Sequence, residues 1–567
     1  MDDPIYLASD HRGYALKQAL RRRLEASGLD VCDLGTHGTE SVDYPEFAAP
    51  AARAVSTGAA SRAIVVCGTG LGVMYTANRF PGVRAALVHD VETAVKAREH
   101  NDANVLALAG DTTDPETAWA IVEAWLATPF AGGRHVRRVA GIDELTRGES
   151  GALSLADPQV AELLRREARR KAAHLALIPS VNFVSEAVRE VMGSAPEGEC
   201  AEGDPGRRCS AGRELAEAAE YLAIERAREL FGAAYVNVEP RSGFEAAECV
   251  YRAVLEAGDT VLAMDLDQGG DGTGGIPSSL SGMLGRVVSY GVSRGSERID
   301  YDQVRALALE HRPRLIQCGG GGYSRVIDFD RFREIADQAG ALLFAEIGEI
   351  AGLVASGLHP SPVGRAQLVG GATCGTLRGP PGGLILCDAP FAARIEGAVS
   401  AGLRRGPSMR AIAAKAVAFR EALEPGFRGY CEKTVANARA LARSLEEQGV
   451  RIASGGTDNH LLLLSLVGCE LTGKGAEIAL ERAGISARAS RVPFDPREPA
   501  VTSGLRIGTP AVTTRGMGEA EMAEIAGAIT RVLEKPEDQE TLAAVRREVE
   551  ALCSRFPLPP GRLAGAG

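Results

Sequence analysis

The sequence has no apolar run that approaches the roughly 18 residues needed to span a membrane, so no transmembrane segment is predicted. It has no excess of positive charge either, since 63 lysines and arginines face 74 aspartates and glutamates and the formal net charge is −11. This balance disfavours binding to a nucleic-acid backbone. Residues 1–4 carry neither the basic nor the apolar stretch of a signal peptide. We therefore expect a cytoplasmic protein without a nucleic-acid or membrane partner.

Cysteine pairs are absent as well. The 11 cysteines are scattered, with no CxxC pair and no spacing typical of metal ligands. Such usage indicates reduced thiols rather than a disulfide framework, and it predicts no metal site. We expect most of these cysteines to be small core residues, with Cys67 as the exception because a glycine-rich segment follows it.

The length of 567 residues exceeds what one ordinary hydrophobic core supports, so at least two domains are expected. Both halves alternate short apolar runs with helical patterns, which predicts α/β folds built on parallel sheets. A polar stretch rich in glycine and serine, residues 144–157, separates the two halves. We place a first, Rossmann-like domain at residues 1–150, a linker at 151–159 and a second domain at 160–567.

Reactive side chains follow the predicted strands of the first domain. Ligands bind at the carboxyl ends of the strands in parallel α/β sheets, so the residues just after each strand are candidates for a site. The candidates are Asp10, His11, Tyr44, Cys67, Gly68, Thr69, Gly70, Gly72, His100, Asn101, Arg134 and Arg138.

These residues stand in the motifs SDHRGY, VDYP, CGTGLG, REHNDANV and GGRHVRRV. Together the motifs resemble ribose-5-phosphate isomerase B and its sugar-phosphate isomerase relatives, over about residues 4–145. The resemblance implies an enzyme that interconverts ribose 5-phosphate, or a related pentose phosphate, and the corresponding ketose through an enediolate. That reaction needs a base, a group that stabilises the oxyanion and a clamp for the phosphate, and we expect no cofactor.

The same resemblance implies a role for each side chain. Cys67 would be the base that moves the proton, and Thr69 would assist at the substrate oxygens. His100 would open the sugar ring, with Asp10 and Tyr44 near it.

The remaining candidates would bind the substrate. The glycines of the CGTGLG motif would let backbone N–H groups approach a developing oxyanion. Arg134 and Arg138, four residues apart, would hold the phosphate together with His11, because guanidinium groups offer forked, charge-assisted donors. The alternatives are that Cys67 is a buried structural residue and that the arginine pair is a solvated helix face.

One variant of this family uses a glutamate a few residues downstream instead of the cysteine. Val73 or a neighbour occupies that position here, which favours Cys67 as the base. Two departures from the family pattern affect the pocket: Arg12 stands at a commonly small position, and residues 74–76 are Met-Tyr-Thr where small residues are usual. They leave open which pentose phosphate is the substrate.

Long segments of the second half resemble serine hydroxymethyltransferase, from about residue 175 to 514. The segments are IAGLV at 350–354, GLHPSP at 357–362, SGGTDNH at 454–460 and TSGLRIGTPA at 502–511. The resemblance implies the fold type I architecture of enzymes that use pyridoxal phosphate (PLP). It also implies at least a homodimer, because both parent families resemble obligate dimers and isomerase B sites are assembled at a subunit interface.

The positions that would serve PLP are largely replaced. Gly375 stands where the family has the lysine that holds the cofactor as a Schiff base, and glycine has no amine. The aspartate that pairs with the pyridine nitrogen aligns with Glu346, and a histidine that stacks on the ring aligns with Gln268. The pocket positions we single out are Gly375, Glu346, Glu349, Gln268, Ser242, Gly243 and Arg506.

We expect this domain to lack PLP catalysis and to be structural, oligomerising or regulatory. Arg506, which in the family binds the substrate carboxylate, is retained, and so is Arg378. Either both hold structural ion pairs, with Glu346 or Glu349 as partners, or the pocket binds an anionic ligand. A bifunctional isomerase and PLP-dependent hydroxymethyltransferase is one alternative for the whole chain. A second domain that binds a ligand or recruits a partner is the other.

Overall fold

The computed structural model of the protein describes residues 4–146, 153, 156–194, 203–204, 206–208, 212, 214–274, 279–403 and 408–558. The chain forms two compact units, Met1–Arg169 and Arg170–Pro559. The division lies inside the helix Pro158–Ala173. The domain limits given above stay a prediction, and part of the expected linker lies outside the described residues.

The first unit is a five-stranded sheet flanked by helices. Its elements are β1 (Ile5–Ser9), α1 (Tyr14–Ala26), β2 (Val31–Asp33), α2 (Tyr44–Ser56), β3 (Ala63–Cys67), α3 (Leu71–Ala77), β4 (Ala85–Leu87), α4 (Val91–Asn101), β5 (Val105–Ala109), α5 (Pro115–Ala127) and α6 (Arg134–Thr146). The strand order is β2-β1-β3-β5-β4, and all neighbouring strands are parallel. The predicted N-terminal parallel sheet is confirmed.

β3 and β5 form the centre of this unit. Every residue of both strands is buried, which explains their continuous apolar sequences: a strand covered on both faces does not alternate with polar residues. Successive side chains still point to opposite faces. Ile64 and Val66 pack with residues of α1, α4 and α5, whereas Val65 and Cys67 pack with residues of α2 and α3. Cys67 is thus both the last residue of β3 and part of the α2/α3 layer.

The second unit contains a larger, mixed sheet. Three strands of two residues come first: β6 (Leu175–Ala176), β7 (Gly203–Asp204) and β8 (Arg207–Arg208). The main strands are β9 (Tyr235–Asn237), β10 (Thr260–Met264), β11 (Arg286–Tyr290), β12 (Leu315–Cys318), β13 (Leu342–Glu346), β14 (Leu368–Ala372) and β15 (Gly383–Cys387). Their order is β11-β10-β12-β13-β14-β15-β9. β15 is antiparallel to both of its neighbours, and the pairs among β10 to β14 are parallel.

A smaller antiparallel sheet completes this unit. Its strands are β16 (Arg451–Ile452), β17 (Leu461–Ser465), β19 (Arg488–Ser490) and β20 (Gly504–Gly508), in the order β16-β17-β20-β19. β18 (Ile485–Ser486) pairs with β6. The helices that follow α6 are Pro158–Ala173, Glu186–Met192, Glu214–Phe231, Gly243–Val254, Leu280–Leu284, Tyr301–His311, Phe329–Ala339, Ala351–Ala355, Ala392–Leu403, Met409–Leu423, Pro425–Glu447, Gly473–Arg482, Pro510–Thr514, Glu519–Glu534 and Gln539–Arg555. Within the described segments, no helix has both the length and the apolarity to cross a membrane.

The two tryptophans of the chain both lie on α5 and allow a test of the first core. Trp125 is fully buried and its indole N–H donates to the Ala103 carbonyl at 3.1 Å, whereas Trp119 is partly buried. Trp125→Ala should lower the free energy of unfolding by about 3–5 kcal/mol, because it leaves a large cavity in the core. Urea unfolding followed by the fluorescence of Trp119 measures this. The matched variant Trp119→Ala should cost much less, and an equal loss would contradict the central place of Trp125.

Candidate active site

The first candidate site lies at the carboxyl ends of β1 and β3. These strands are neighbours, and the helices that follow them lie on opposite faces of the sheet, since α1 packs in one core layer and α3 in the other. A crevice opens at such a reversal, and ligands of open α/β sheets bind there. Asp10 and His11 follow β1, and Cys67 ends β3. The fold therefore brings the SDHRGY and CGTGLG motifs together.

The turn after Cys67 needs its glycines. Gly70 has φ +74°, the left-handed region that side chains rarely adopt, and a Cβ there would lie 3.1 Å from the Leu108 backbone. A Cβ on Gly72 would fall 2.8 Å from the ring of Tyr44, so that ring lies directly against the turn. Thr69 Oγ1 accepts from the backbone N–H of Leu71 at 3.4 Å. The turn places Thr69 two residues after Cys67, and the Tyr44 ring lies against its far end at Gly72.

The two residues after β1 are held by backbone hydrogen bonds. Asp10 is buried, and its Oδ1 accepts from the N–H of Gly13 at 2.9 Å, just before α1 begins. His11 Nδ1 accepts from the N–H of Val42 at 3.2 Å. In the neutral imidazole the proton then sits on Nε2, which can donate to a ligand. Cys67 itself is 4% exposed, and its carbonyl accepts from Gly110 at 2.8 Å.

The other predicted residues lie at the opposite end of the sheet. α4 connects β4 to β5, so it runs against the strands and its last residues, His100 and Asn101, lie near the amino end of β5. α6, which starts with Arg134 and carries Arg138, begins beside them, since Ala131 donates to the Glu99 carbonyl at 3.1 Å. Four residue steps along β5, about 13 Å at the usual rise per residue, separate the two ends. Within one chain the predicted set is split into two groups.

The second group includes a residue that the sequence reading passed over. The rings of His100 and His135 stack with centroids 4.4 Å apart and planes within 4°. Arg134 Nε lies 3.4 Å from His135 Nε2. Burial, the neighbouring His100 and the positive charges of Arg134 and Arg138 lower the pKa of His135 below its ordinary value, which favours its neutral imidazole at neutral pH. The sequence could have indicated it, because His135 directly follows Arg134 in the motif GGRHVRRV.

In the second unit the candidate pocket lies at the carboxyl end of β13. Glu346, the last residue of that strand, is buried, and its Oε1 accepts from the N–H of Gly348 at 2.8 Å. Burial, together with the nearby carboxylates of Asp271 and Glu349, raises the pKa of Glu346 well above its ordinary value. This shift favours the protonated, uncharged form of the Glu346 side chain.

Glu349 takes part in an ion pair instead. Its Oε1 lies 3.6 Å from Arg506 Nη1, and its Oε2 lies 3.6 Å from His460 Nε2. Burial opposes ionisation, but His460, Arg506 and Arg488 outweigh it and hold the pKa of Glu349 below its usual range. Arg506 also donates to the Gly321 carbonyl. Of the two retained arginines, Arg506 thus has the Glu349 partner that the structural alternative expects, and Arg378 lies 4.9 Å from the Tyr430 ring.

The groups present do not fit PLP held as a Schiff base. Gly375 begins a short 3-10 helix with φ +63°, and its carbonyl accepts from Asn182 Nδ2 at 2.8 Å. Gln268 is tied to the backbone, because its Oε1 accepts from the N–H of Val292 at 2.9 Å. The pocket thus has no amine at position 375, and the Gln268 side-chain oxygen is bound to the backbone N–H of Val292.

The expected phosphate cup is also changed. Ser242 caps the helix Gly243–Val254, and its Oγ accepts from the N–H of Glu245 at 3.1 Å. The Glu245 carboxylate accepts from the backbone N–H of Arg241 at 2.5 Å and pairs with the Arg241 guanidinium. The helix start therefore already carries an ion pair, in which the Arg241 guanidinium is engaged with a carboxylate of the chain.

Lys415 is a second residue that the sequence reading missed. It is 1% exposed, and its Nζ donates to the carbonyls of Val238, Pro240 and Gly383 at 2.5, 2.8 and 2.8 Å. Its three donors are thereby used, so this lysine does not replace the amine missing at Gly375. Burial lowers the pKa of Lys415 to about 7, although nearby glutamates oppose this. Nothing local in the sequence marks it, because its partners lie far away along the chain.

The class of each unit follows from its sheet. The first unit is an α/β fold with a parallel sheet and a crevice between β1 and β3. The second has a mixed seven-stranded sheet with one antiparallel strand, as in fold type I. In the described part of the chain, no group of three or more histidine, cysteine or carboxylate side chains could hold a metal ion. Residues 153–529, more than half of the chain, match the Serine hydroxymethyltransferase family model, and the chain belongs to that family. Residues 5–142 match the Ribose/Galactose Isomerase family model. The predicted fusion and the predicted fold class are confirmed.

Lys415 gives a prediction about pH. The folded chain releases this proton near pH 7 and the unfolded chain near 10.5, so between these values the unfolded state binds more protons and the free energy of unfolding rises with pH. The slope is at most about 1.4 kcal/mol per pH unit. Urea unfolding of wild type and Lys415→Met between pH 6 and 10 should show this rise only in the wild type. Lys433→Met, at an exposed position, is the control. A constant difference between wild type and Lys415→Met would show that the carbonyls hold an ammonium group.

Proposed function

We propose that the first unit interconverts ribose 5-phosphate and ribulose 5-phosphate with Cys67 as the base. The observation that carries the proposal is the position of Cys67 at the end of β3, in the crevice, beside a turn shaped by Gly70 and Gly72. The match to the Ribose/Galactose Isomerase family supports the class of reaction. The free thiols of the described cysteines are consistent with the cytoplasmic location that we propose.

The reaction can be written with the groups at hand. Once the sugar ring is open, the Cys67 thiolate takes the proton from C2, and the electron pair moves into the carbonyl to form an enediolate. Backbone N–H groups of the turn and the Thr69 hydroxyl stabilise the negative oxygen. Cys67 then returns the proton to C1, and a proton moves between the two substrate oxygens. Asp10 and Tyr44 line this end of the site, and His11 Nε2 offers a donor to the substrate.

We infer that a second copy of the chain completes the site. His100, Asn101, Arg134 and Arg138 lie at the amino end of the sheet, about 13 Å of strand away from Cys67, so they do not reach its crevice within one chain. In a homodimer that pairs opposite sheet ends, the partner's copy of this group would provide ring opening and phosphate binding. Arg134 and Arg138 supply positive charges suited to a phosphate, and the stacked rings of His100 and His135 lie beside Arg134.

A mixing experiment tests both proposals. Cys67→Ala and His100→Ala should each lower turnover of ribose 5-phosphate at least about 100-fold, as expected when a positioned acid or base is lost. After subunit exchange an equal mixture should regain about a quarter of the wild-type activity, because about half of the dimers are mixed and each has one complete site. The measurement is the rate of ribulose 5-phosphate formation.

The control mixes Cys67→Ala with Thr69→Ala. Both changes lie on the same turn, so no mixed dimer has a complete site and no activity should return. Activity of Cys67→Ala near the wild-type level would contradict the base. Inactive single variants without recovery in the His100 mixture would contradict the shared site.

For the second unit we propose a structural or oligomerising role without PLP chemistry. The observation that carries this is the absence of an amine at Gly375, combined with the Glu349–Arg506 ion pair in the same pocket. Arg506 then neutralises the Glu349 carboxylate of the chain itself and is not free to bind the carboxylate of a substrate. A buried pair of this kind contributes mainly by keeping each charge partnered.

The absence of PLP chemistry is testable by spectroscopy. Wild-type protein mixed with PLP should show no stable aldimine absorbance and should not cleave serine. Gly375→Lys should also fail to cleave serine, since φ +63° strains any side chain there and Gln268 stands at the position of the ring-stacking histidine. Gly375→Ala, which has the same strain but no amine, is the matched control for folding. A stable aldimine with turnover in the wild type would overturn the proposal, and turnover in Gly375→Lys alone would show that the other groups suffice.

A further inference from the structure

An ion pair bridges the carboxyl end of β3 in the first unit. Arg12 follows β1, and Asp111 follows β5, the strands on either side of β3. Arg12 Nε donates to Asp111 Oδ1 at 3.2 Å, and a second guanidinium nitrogen pairs with Oδ2. The bridge therefore passes over the strand whose last residue is Cys67.

The bridge rests on the glycine turn. Asp111 is anchored there, because its backbone N–H donates to the Gly68 carbonyl at 3.0 Å. A Cβ on Gly68 would lie 2.8 Å from Arg12 Nε and 2.8 Å from Asp111 Oδ2. The missing side chain at Gly68 is what makes room for the pair. Since consecutive Cα atoms are about 3.8 Å apart, the guanidinium lies within the length of a pentose phosphate from Cys67.

The Arg12–Asp111 ion pair can open at little cost in stability, so that Arg12 can bind another anion. The side chains of Arg12 and Asp111 are 58% and 30% exposed, and ion pairs at exposed sites contribute little to stability. Asp111 is fixed through its own backbone, whereas Arg12 is held at its tip and has a long, flexible side chain. A phosphate dianion offers two negative charges and forked acceptor geometry, which a guanidinium binds more strongly than a single exposed carboxylate.

We propose that Arg12 positions the substrate by leaving Asp111 for the phosphate of the incoming sugar phosphate. Asp111 keeps the guanidinium over the turn in the free protein and competes with the ligand for it. Arg12 lies next in the chain to His11, so the two residues bind the same end of the substrate from this chain. The inference rests on the proposed function, because it uses the crevice at Cys67 as the reacting site.

The competition predicts opposite effects for the two partners. Arg12→Ala should raise the KM for ribose 5-phosphate about 10-fold or more and leave kcat nearly unchanged, because one charge-assisted partner is lost in binding. Asp111→Asn should lower the KM, because the competitor is gone, and the double variant should behave like Arg12→Ala. Arg23→Ala removes a comparable exposed ion pair with Glu116 at the far end of α1 and should change neither constant.

Two results would overturn the inference. If Asp111→Asn raises the KM as much as Arg12→Ala does, the pair acts as one structural unit that shapes the turn. If Arg12→Ala lowers kcat with an unchanged KM, the guanidinium does not act by binding the phosphate. Unfolding curves of both variants show whether either one has lost its fold, and Arg12→Lys should restore part of the affinity.

Binding without turnover separates this inference from the proposed function. Calorimetry on Cys67→Ala should show that ribose 5-phosphate binds about 10-fold more weakly when Arg12→Ala is added, while unphosphorylated ribose is unaffected. If the wild type isomerises no pentose phosphate but this affinity difference is present, the proposed reaction fails and the role of Arg12 stands. If the wild type is active and the affinity does not depend on Arg12, the role of Arg12 fails. Absence of any binding would defeat both.

Discussion

Parallel pairing of β1, β3 and β5 is the constraint on which the amino-terminal unit depends. Ser9 lies opposite Val66, and Cys67 lies opposite Ala109, so the three strands end at one level. The loops after them then meet over β3, which lets Arg12 reach across the sheet. Because side chains alternate between the faces of a strand, a shift of one residue in β3 would turn Cys67 from the α2/α3 layer to the other face. The buried register thus decides whether the thiol can face the crevice.

The same geometry divides the predicted site. A helix that joins parallel strands must run against them, so the end of α4 with His100 lies at the amino end of the sheet. The loops after β1 and β3 lie at the carboxyl end of the sheet, and the end of α4 lies at the amino end. The length of the five-residue strand β5 separates these two groups within one chain. Under the function proposed above, association of two copies would bring both groups to one substrate.

The second unit shows how a pocket can change its catalytic side chains and keep its fold. Three buried ionisable groups there illustrate this: Glu349 pairs with Arg506, Lys415 donates to three carbonyl oxygens, and burial favours the protonated form of Glu346 by raising its pKa. Leaving a buried charge without a partner would be strongly destabilising, so these contacts within the chain keep the pocket stable. The backbone carbonyl of Gly375 also has a partner within the chain, because it accepts a hydrogen bond from the Asn182 side chain.

The sequence by itself determined the two α/β architectures, the CGTGLG turn and the missing amine at Gly375. These features are local: alternating apolar runs specify strands and helices, Gly70 is needed for a positive φ, and the identity of one residue decides whether an amine exists. The tertiary structure decided which side chains meet. Arg12 and Asp111 are 99 positions apart, and Lys415 lies 177 positions from Val238. Such contacts depend on strand order, register and the direction of the connecting helices. These properties arise from packing of the whole sheet and cannot be predicted from any short segment of the sequence.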